Sequence, residues 1–187
     1  GLLAHEGRKA EAAESCGQAV AVAEALADEY PDAADLRGSV ATYLDHQGNL
    51  ELELRRLDRA REAFRRAVGI LERIVRDGPE EPGLLSNLGG ILNNLAMVEL
   101  DESRFDVARD LLLEAIRRQG RALETNPANP QYRQFLANHL LNWGRAARGL
   151  GRDDEAEEAR RRLDQVIAED PKFEALDARL AAVLGGQ

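Results

Sequence analysis

Apolar residues recur along this chain at helical spacing, in stretches of about twenty residues broken by short polar or proline-bearing segments. Ser86 to Pro127 shows the pattern most fully, as two helices that fold back at a polar turn, Asp101–Arg104, and end at a proline. The second of these carries Ala108, Leu111, Leu112, Ala115, Ile116, Ala122 and Leu123 as its apolar stripe. A shift of forty-eight residues reproduces the pattern. Ala12, Ala60, Ala108 and Ala156 share one register, as do Pro31, Pro79 and Pro127. Gly48, Ala96 and Gly144 share another, and Leu44, Leu92 and Leu140 a fourth. Four registers with one spacing make an internal repeat, whose units bury their apolar faces against their neighbours.

Taken in order, Leu2 to Glu6 is expected to close a first-type helix, because Gly7-Arg8 aligns with Gly151-Arg152. A second-type helix then runs from about Arg8 to Glu29, burying Ala12, Cys16, Ala19, Val20, Ala23 and Leu26. Pro31 ends it, and Asp32 or its neighbours cap the next. The first full hairpin spans about Ala33 to Asp77, with Leu36, Val40, Leu44, Gly48 and Leu50 facing Ala60, Phe64, Ala67, Val68, Leu71, Ile74 and Val75. Its turn near Arg55 is placed by register alone, since Leu52 to Leu57 holds no glycine or proline. In the next hairpin Pro82 suits a first helical position, Ser103 with Asp106 resembles a capping box, and Gly120 weakens the second helix. In the third, Asn129-Pro130 starts a helix bearing Tyr132, Leu136, Leu140, Trp143, Gly144 and Ala147; Gly149 to Arg152 turn the chain. Ala156, Ala159, Leu163, Val166 and Ile167 continue the stripe up to Pro171. A last helix, about Phe173 to Leu184, is expected to cap the array. The divisions are thus a partial repeat 1–31, repeats 32–79, 80–127 and 128–171, and a cap 172–187, all in one domain.

Composition narrows the class. With 44% apolar, 32% charged and 4% aromatic residues, the chain suits a helical repeat better than a sandwich or barrel. Net charge is −9, and residues 1–48 alone carry nine acids against three bases. With a pI near 5.0 and arginines interleaved with acids, a nucleic-acid partner is disfavoured. The single Cys16 excludes an internal disulfide and any multi-cysteine metal site. No run reaches the eighteen or more apolar residues of a membrane span. There is no signal peptide, so the expectation is a cytoplasmic chain; Gly1 opens in mid-repeat, which implies sequence upstream.

These registers resemble the tetratricopeptide repeat. Its small residue in the first helix matches Gly48, Ala96 and Gly144, and its alanine early in the second helix matches Ala60, Ala108 and Ala156. Its closing proline matches Pro31, Pro79, Pro127 and Pro171. Its second small residue matches Ala67 and Ala115 but is replaced by Leu163. The usual unit is about 34 residues, so both helices here gain about two turns. The segments GRDDEAEEARR, YPDAADLRG, NPQYRQFLANHLLNWG and LLSNLGGILNNLA are similar to long-helix arrays C-terminal to bacterial serine/threonine protein kinases, and kinesin light chain repeats share the NNLA flavour. No kinase nucleotide loop or catalytic segment occurs in this chain. The resemblance implies an all-α, right-handed superhelical solenoid of antiparallel hairpins, about three and a half repeats plus a capping helix.

It also implies a concave face lined by the first helices, where a peptide or partner helix docks. The position two before the small residue holds His46, Asn94 and Asn142; Asn49 and Arg145 lie one beyond it, with Asn138 and Arg148 nearby. A carboxamide offers both donor and acceptor, so Asn94 and Asn142 suit a grip on peptide backbone; solvated polar residues on exposed helix are the plainer alternative. A carboxylate clamp built from lysines is not expected, since Asp45 stands where such a lysine would. Arg145 and Arg148 suit an acidic ligand, with a solvated arginine pair as the plainer reading. His5, His46 and His139 lack metal-ligand spacing, Trp143 suits the core, and Glu155, Glu157 and Glu158 suit a solvated helix start. Serines 15, 39, 86 and 103 lack a nucleophile pattern. The expectation is a non-enzymatic module without cofactor or metal that binds a protein or peptide. The alternative is a spacer or self-associating surface forming a homo-oligomer.

Overall fold

A computed structural model of the chain describes residues 2–30 and 33–168. Among them are seven helices and no strand: α1 (Leu2–Glu29), α2 (Ala34–Glu53), α3 (Leu57–Asp77), α4 (Pro82–Asp101), α5 (Phe105–Thr125), α6 (Pro130–Gly149) and α7 (Asp153–Ala168). The contacts divide the chain between Glu80 and Glu81, a repeat boundary, into two compact units. In the first, α2 packs on both α1 and α3. In the second, α4 packs on α5, α5 on α6 and α6 on α7, and α4 also touches α6. The expected final helix at 173–184 lies outside the described residues.

The turns between paired helices obey the forty-eight-residue register in their backbone as well as their sequence. Arg55, Ser103 and Gly151 all adopt left-handed φ, at 58°, 58° and 68°. At each, the following amide reaches back five residues: Arg56 N to Glu51 O at 2.8 Å, Arg104 N to Glu99 O at 2.8 Å, and Arg152 N to Ala147 O at 2.9 Å. That bond and the one beside it satisfy the last carbonyls of each first helix and reverse the chain. Only the third turn uses glycine. At the other two a carboxylate assists: Glu51 is 4% exposed with Oε2 3.3 Å from Arg56 Nη1, and Glu99 is 1% exposed and bonds Arg104 Nε. The turn at Arg55, expected from register alone, is therefore held by an ion pair (Glu51–Arg56) with no local turn residue.

Three expectations fail. The turn at Gly7-Arg8 is absent and α1 runs unbroken over 28 residues. Gly7 does not take the left-handed φ that Gly151 takes at its turn, and helical hydrogen bonding continues through it. The buried stripe of α1 also differs: Ala13 and Val20 are buried, whereas Ala12 and Leu26 are exposed. Ser103 forms no capping box, because it is itself the left-handed residue closing α4; Arg104 occupies the cap of α5 without a side-chain bond. The N-cap of α2 is Ala33, without a side-chain bond, and Asp32 lies outside the described residues; at α4 and α6 the expected starts are found. Pro82 opens α4, and Asn129 Oδ1 accepts from Gln131 N at 3.0 Å and Tyr132 N at 3.3 Å ahead of Pro130.

The core of the second unit joins Leu112 and Ile116 of α5, Leu140 and Trp143 of α6, and Leu163 of α7. Each buried leucine there contributes roughly 1.5–3 kcal/mol of apolar transfer. In the first unit Leu44 of α2 meets no solvent, nor does Phe64 of α3. A Cβ on Gly48 would stand 2.5 Å from the Phe64 ring, so the repeat's small residue is what admits that phenylalanine.

Candidate functional site

The expected groove residues fall into both units and are described unit by unit. In the second, α4 is apolar nearly all round, with twelve buried residues, so it sits among its neighbours as a central helix. Asn93, buried among them, faces α6. Asn142 of α6, 8% exposed, donates through Nδ2 to Asn93 Oδ1 at 2.9 Å. Its own Oδ1 accepts from Arg145 Nη1 at 3.1 Å. The register pairs Asn142 with Asn94, but the spatial partner is Asn93. The result is a polar line, Asn93–Asn142–Arg145, across two first helices, with one N–H of Asn142 left over for another acceptor. Asn94 and Asn138 are half-buried, and Asn138 Oδ1 accepts from Gln134 Nε2 at 3.5 Å. Arg148 is exposed.

In the first unit, His46 is exposed on α2, and Asn49 donates to the Asp45 carbonyl of its own helix at 2.9 Å. Asn49 is thus engaged locally in the way short polar side chains often are.

A second polar cluster was not expected. Gly89 of α4 lets three helices meet: a Cβ there would lie 3.1 Å from the Ala115 carbonyl of α5, 3.5 Å from His139 Nε2 of α6 and 3.6 Å from Gln119 Oε1. Ser86 Oγ donates to Gln119 Oε1 at 3.1 Å. Gln119 Nε2 and both ring nitrogens of His139 have no partner though buried. Burial without a compensating bond disfavours the charged ring, and the His139 imidazole is pushed down to about 4. The signal in the sequence was its register, which places Ile91 at the same position. A histidine replacing an isoleucine at a core position belongs to the interior.

Glu155 likewise does more than start a helix. Arg109 of α5 donates to it through Nε at 2.6 Å and Nη2 at 2.9 Å, and Arg152 adds Nη1 at 2.9 Å. The fork on Arg109, and then Arg152, hold its carboxyl at about 2, and the Arg109 guanidinium is raised in turn. This pair ties α5 to α7. Trp143 is core, with the Arg162 guanidinium 5.8 Å from its ring centre. Cys16 is half-buried and unbridged. Among the described residues no three His, Cys, Asp or Glu side chains gather as a metal site, and no helix is long and apolar enough to cross a membrane.

The fold, with first and second helices paired at a fixed register, defines an all-α helical-repeat protein. Residues 88–130 match the tetratricopeptide repeat family. No curated protein matches the chain. Among solved structures, the crystal structure of BtubC (BKLC) from P. vanneervenii is similar, with a TM-score of 0.67 at 20% identity over 87% of this chain. This chain spans 58% of the length of that one, and the likeness is one of fold. Residues 88–130 thus carry the likeness to the tetratricopeptide repeat, within a chain whose described residues form an all-α helical repeat.

Proposed function

We propose that the second unit binds an extended peptide or a helix along the face where α4 and α6 carry Asn94, Asn138, Asn142, Arg145 and Arg148. The observation that carries this reading is the Asn93–Asn142–Arg145 line. It presents an oriented amide and a guanidinium already fixed in place, so little side-chain entropy remains to be lost on binding. A carboxylate or backbone carbonyl is the complementary group. His46 and Asn49 offer a similar but unlinked pair on α2. Among the described residues no grouping of side chains resembles a nucleophile and base, and the reading is one of recognition without catalysis.

The test uses a random-peptide display library selected on the whole chain. The recovered peptide should lose about tenfold or more in affinity, by calorimetry, to Asn94→Ala and to Arg145→Ala. Equal affinity for the wild type and both variants, or no recovered peptide, overturns the assignment. Asn142→Ala is a poorer choice, since it strands the Asn93 carboxamide.

Attachment to a serine/threonine kinase rests on the four segments quoted above. Reading the parent gene for a catalytic domain ahead of Gly1 decides it.

A further inference from the structure

In each unit an ion pair crosses between successive second helices. In the first, Glu24 of α1 pairs with Arg66 of α3. In the second, Arg109 of α5 pairs with Glu155 of α7. The two ties occupy different places in the repeat register. Ninety-six residues after Glu24 and Arg66 stand Gly120 of α5 and Arg162 of α7. The arginine is kept and the carboxylate across from it is lost. No carboxylate among the described residues bonds Arg162, whose guanidinium lies over the Trp143 ring, 5.8 Å from its centre.

A pocket of about 280 Å³ opens there among α5, α6 and α7. Leu123, one turn on from Gly120, forms its apolar wall with Leu136, Leu140 and Val166. Arg133 and Arg162 bring two guanidiniums to it, and Arg133 is anchored beside it by donating through Nη2 to the Pro127 carbonyl at 2.7 Å. The lining contains no acid, in a chain whose net charge is −9. What bridges the corresponding place in the first unit is a side chain, Glu24, and not a further helix. The opening therefore follows from the glycine at position 120.

We propose that this pocket binds a small amphiphilic carboxylate. Its acid group stands across from Arg162 as Glu24 stands across from Arg66, and its apolar body lies against Leu123, Leu136 and Leu140. A guanidinium matches a carboxylate with two parallel hydrogen bonds. Apolar walls with a few convergent polar groups are the usual make-up of a small-molecule site. The volume restricts the body to a short alkyl chain or a single ring. The site shares no residue with the face proposed to bind peptide, which uses Asn138, Asn142 and Arg145 on α6.

The test titrates octanoate into the whole chain, followed by calorimetry and by the fluorescence of Trp143, which Arg162 overlies. Binding should saturate, and octylamine should bind about tenfold or more weakly, since it keeps the apolar body and reverses the charge. Arg162→Gln should weaken octanoate about tenfold or more. Gly120→Glu should weaken it to a similar degree, because it supplies the missing carboxylate from within the chain; a Cβ at that position meets open space. Asn94→Ala should leave octanoate binding unchanged. Absence of saturable binding, equal affinity for octylamine, or full affinity in either Arg162→Gln or Gly120→Glu overturns the proposal. So does a loss in Asn94→Ala, which would place octanoate on the other face.

Discussion

The α1–α2 pair and the α5–α6 pair are the same two helices of the repeat, ninety-six residues apart, in opposite circumstances. Ala108 of α5 is sealed, as are Ala60 and Ala156 of the other second helices; Ala12 of α1 is exposed. His139 of α6 is buried under α4, whereas Tyr43 of α2 is 40% exposed. Nothing in the local sequence distinguishes the alanines. The difference lies in the packing of the described residues: α4 packs on α5, whereas among the helices with extensive contacts α1 packs on α2 alone. In a repeat array each unit is covered only by its neighbours. A register therefore specifies which side a residue faces. Its burial depends on whether a neighbouring helix covers that side.

The buried histidine is the strongest handle on this comparison. The ring titrates near 4 in the folded chain and at its ordinary 6.5 when unfolded. Below pH 6.5 the unfolded state takes a proton that the folded state refuses, so stability falls as the pH drops and levels off below about 4. The loss attributable to His139 over that window is about 3 kcal/mol. Denaturant titrations followed by the fluorescence of Trp143, the sole tryptophan, should show this slope and lose it in His139→Ile, the residue found at Ile91. An unchanged slope would mean that α4 does not seal the site.

Substituting leucine at the shared alanine position addresses the same contrast directly. Ala108→Leu forces three extra carbons into a site with no exposure and should cost about 1–3 kcal/mol. Ala12→Leu meets solvent and should change stability by less than about 0.5 kcal/mol. Thermal melts by circular dichroism compare the two, and equal losses would show that α1 is covered after all.

The smallest effect concerns the turns, where the two units agree. Ser103 holds a left-handed φ that an L side chain adopts at a cost, and Ser103→Gly should stabilise the chain by up to about 1 kcal/mol. Gly151→Ala, at φ 68°, should destabilise it by a similar amount. A melting temperature that moves the other way in either variant would break the equivalence of the three turns.

Much of the architecture was legible because the repeat imposes it several times over. The helix starts at Pro82 and Pro130, the turn near Arg55, the small residues at Gly48 and Ala96, and the buried Trp143 all follow from spacing and backbone chemistry. The face proposed to bind peptide was less legible. The register aligned Asn142 with Asn94, but side chains on crossing helices meet according to crossing geometry, and Asn93 took the partner's place. His139 looked like an isolated histidine because its surroundings come from Gly89, Ser86 and Gln119 on two other helices. Glu155 looked solvated because its partner, Arg109, lies 46 residues earlier on another helix.

The order of helices α2 to α7, their lengths within a turn and most of the faces they turn inward are properties of the sequence alone, since periodicity, proline and glycine act over a few residues. Three things required the tertiary structure: the unbroken α1, the amide line between α4 and α6, and the tie from Arg109 of α5 to Glu155 of α7. The last two depend on whether another helix is present at a given face. That is settled by contacts between residues distant in sequence, which local patterns do not encode.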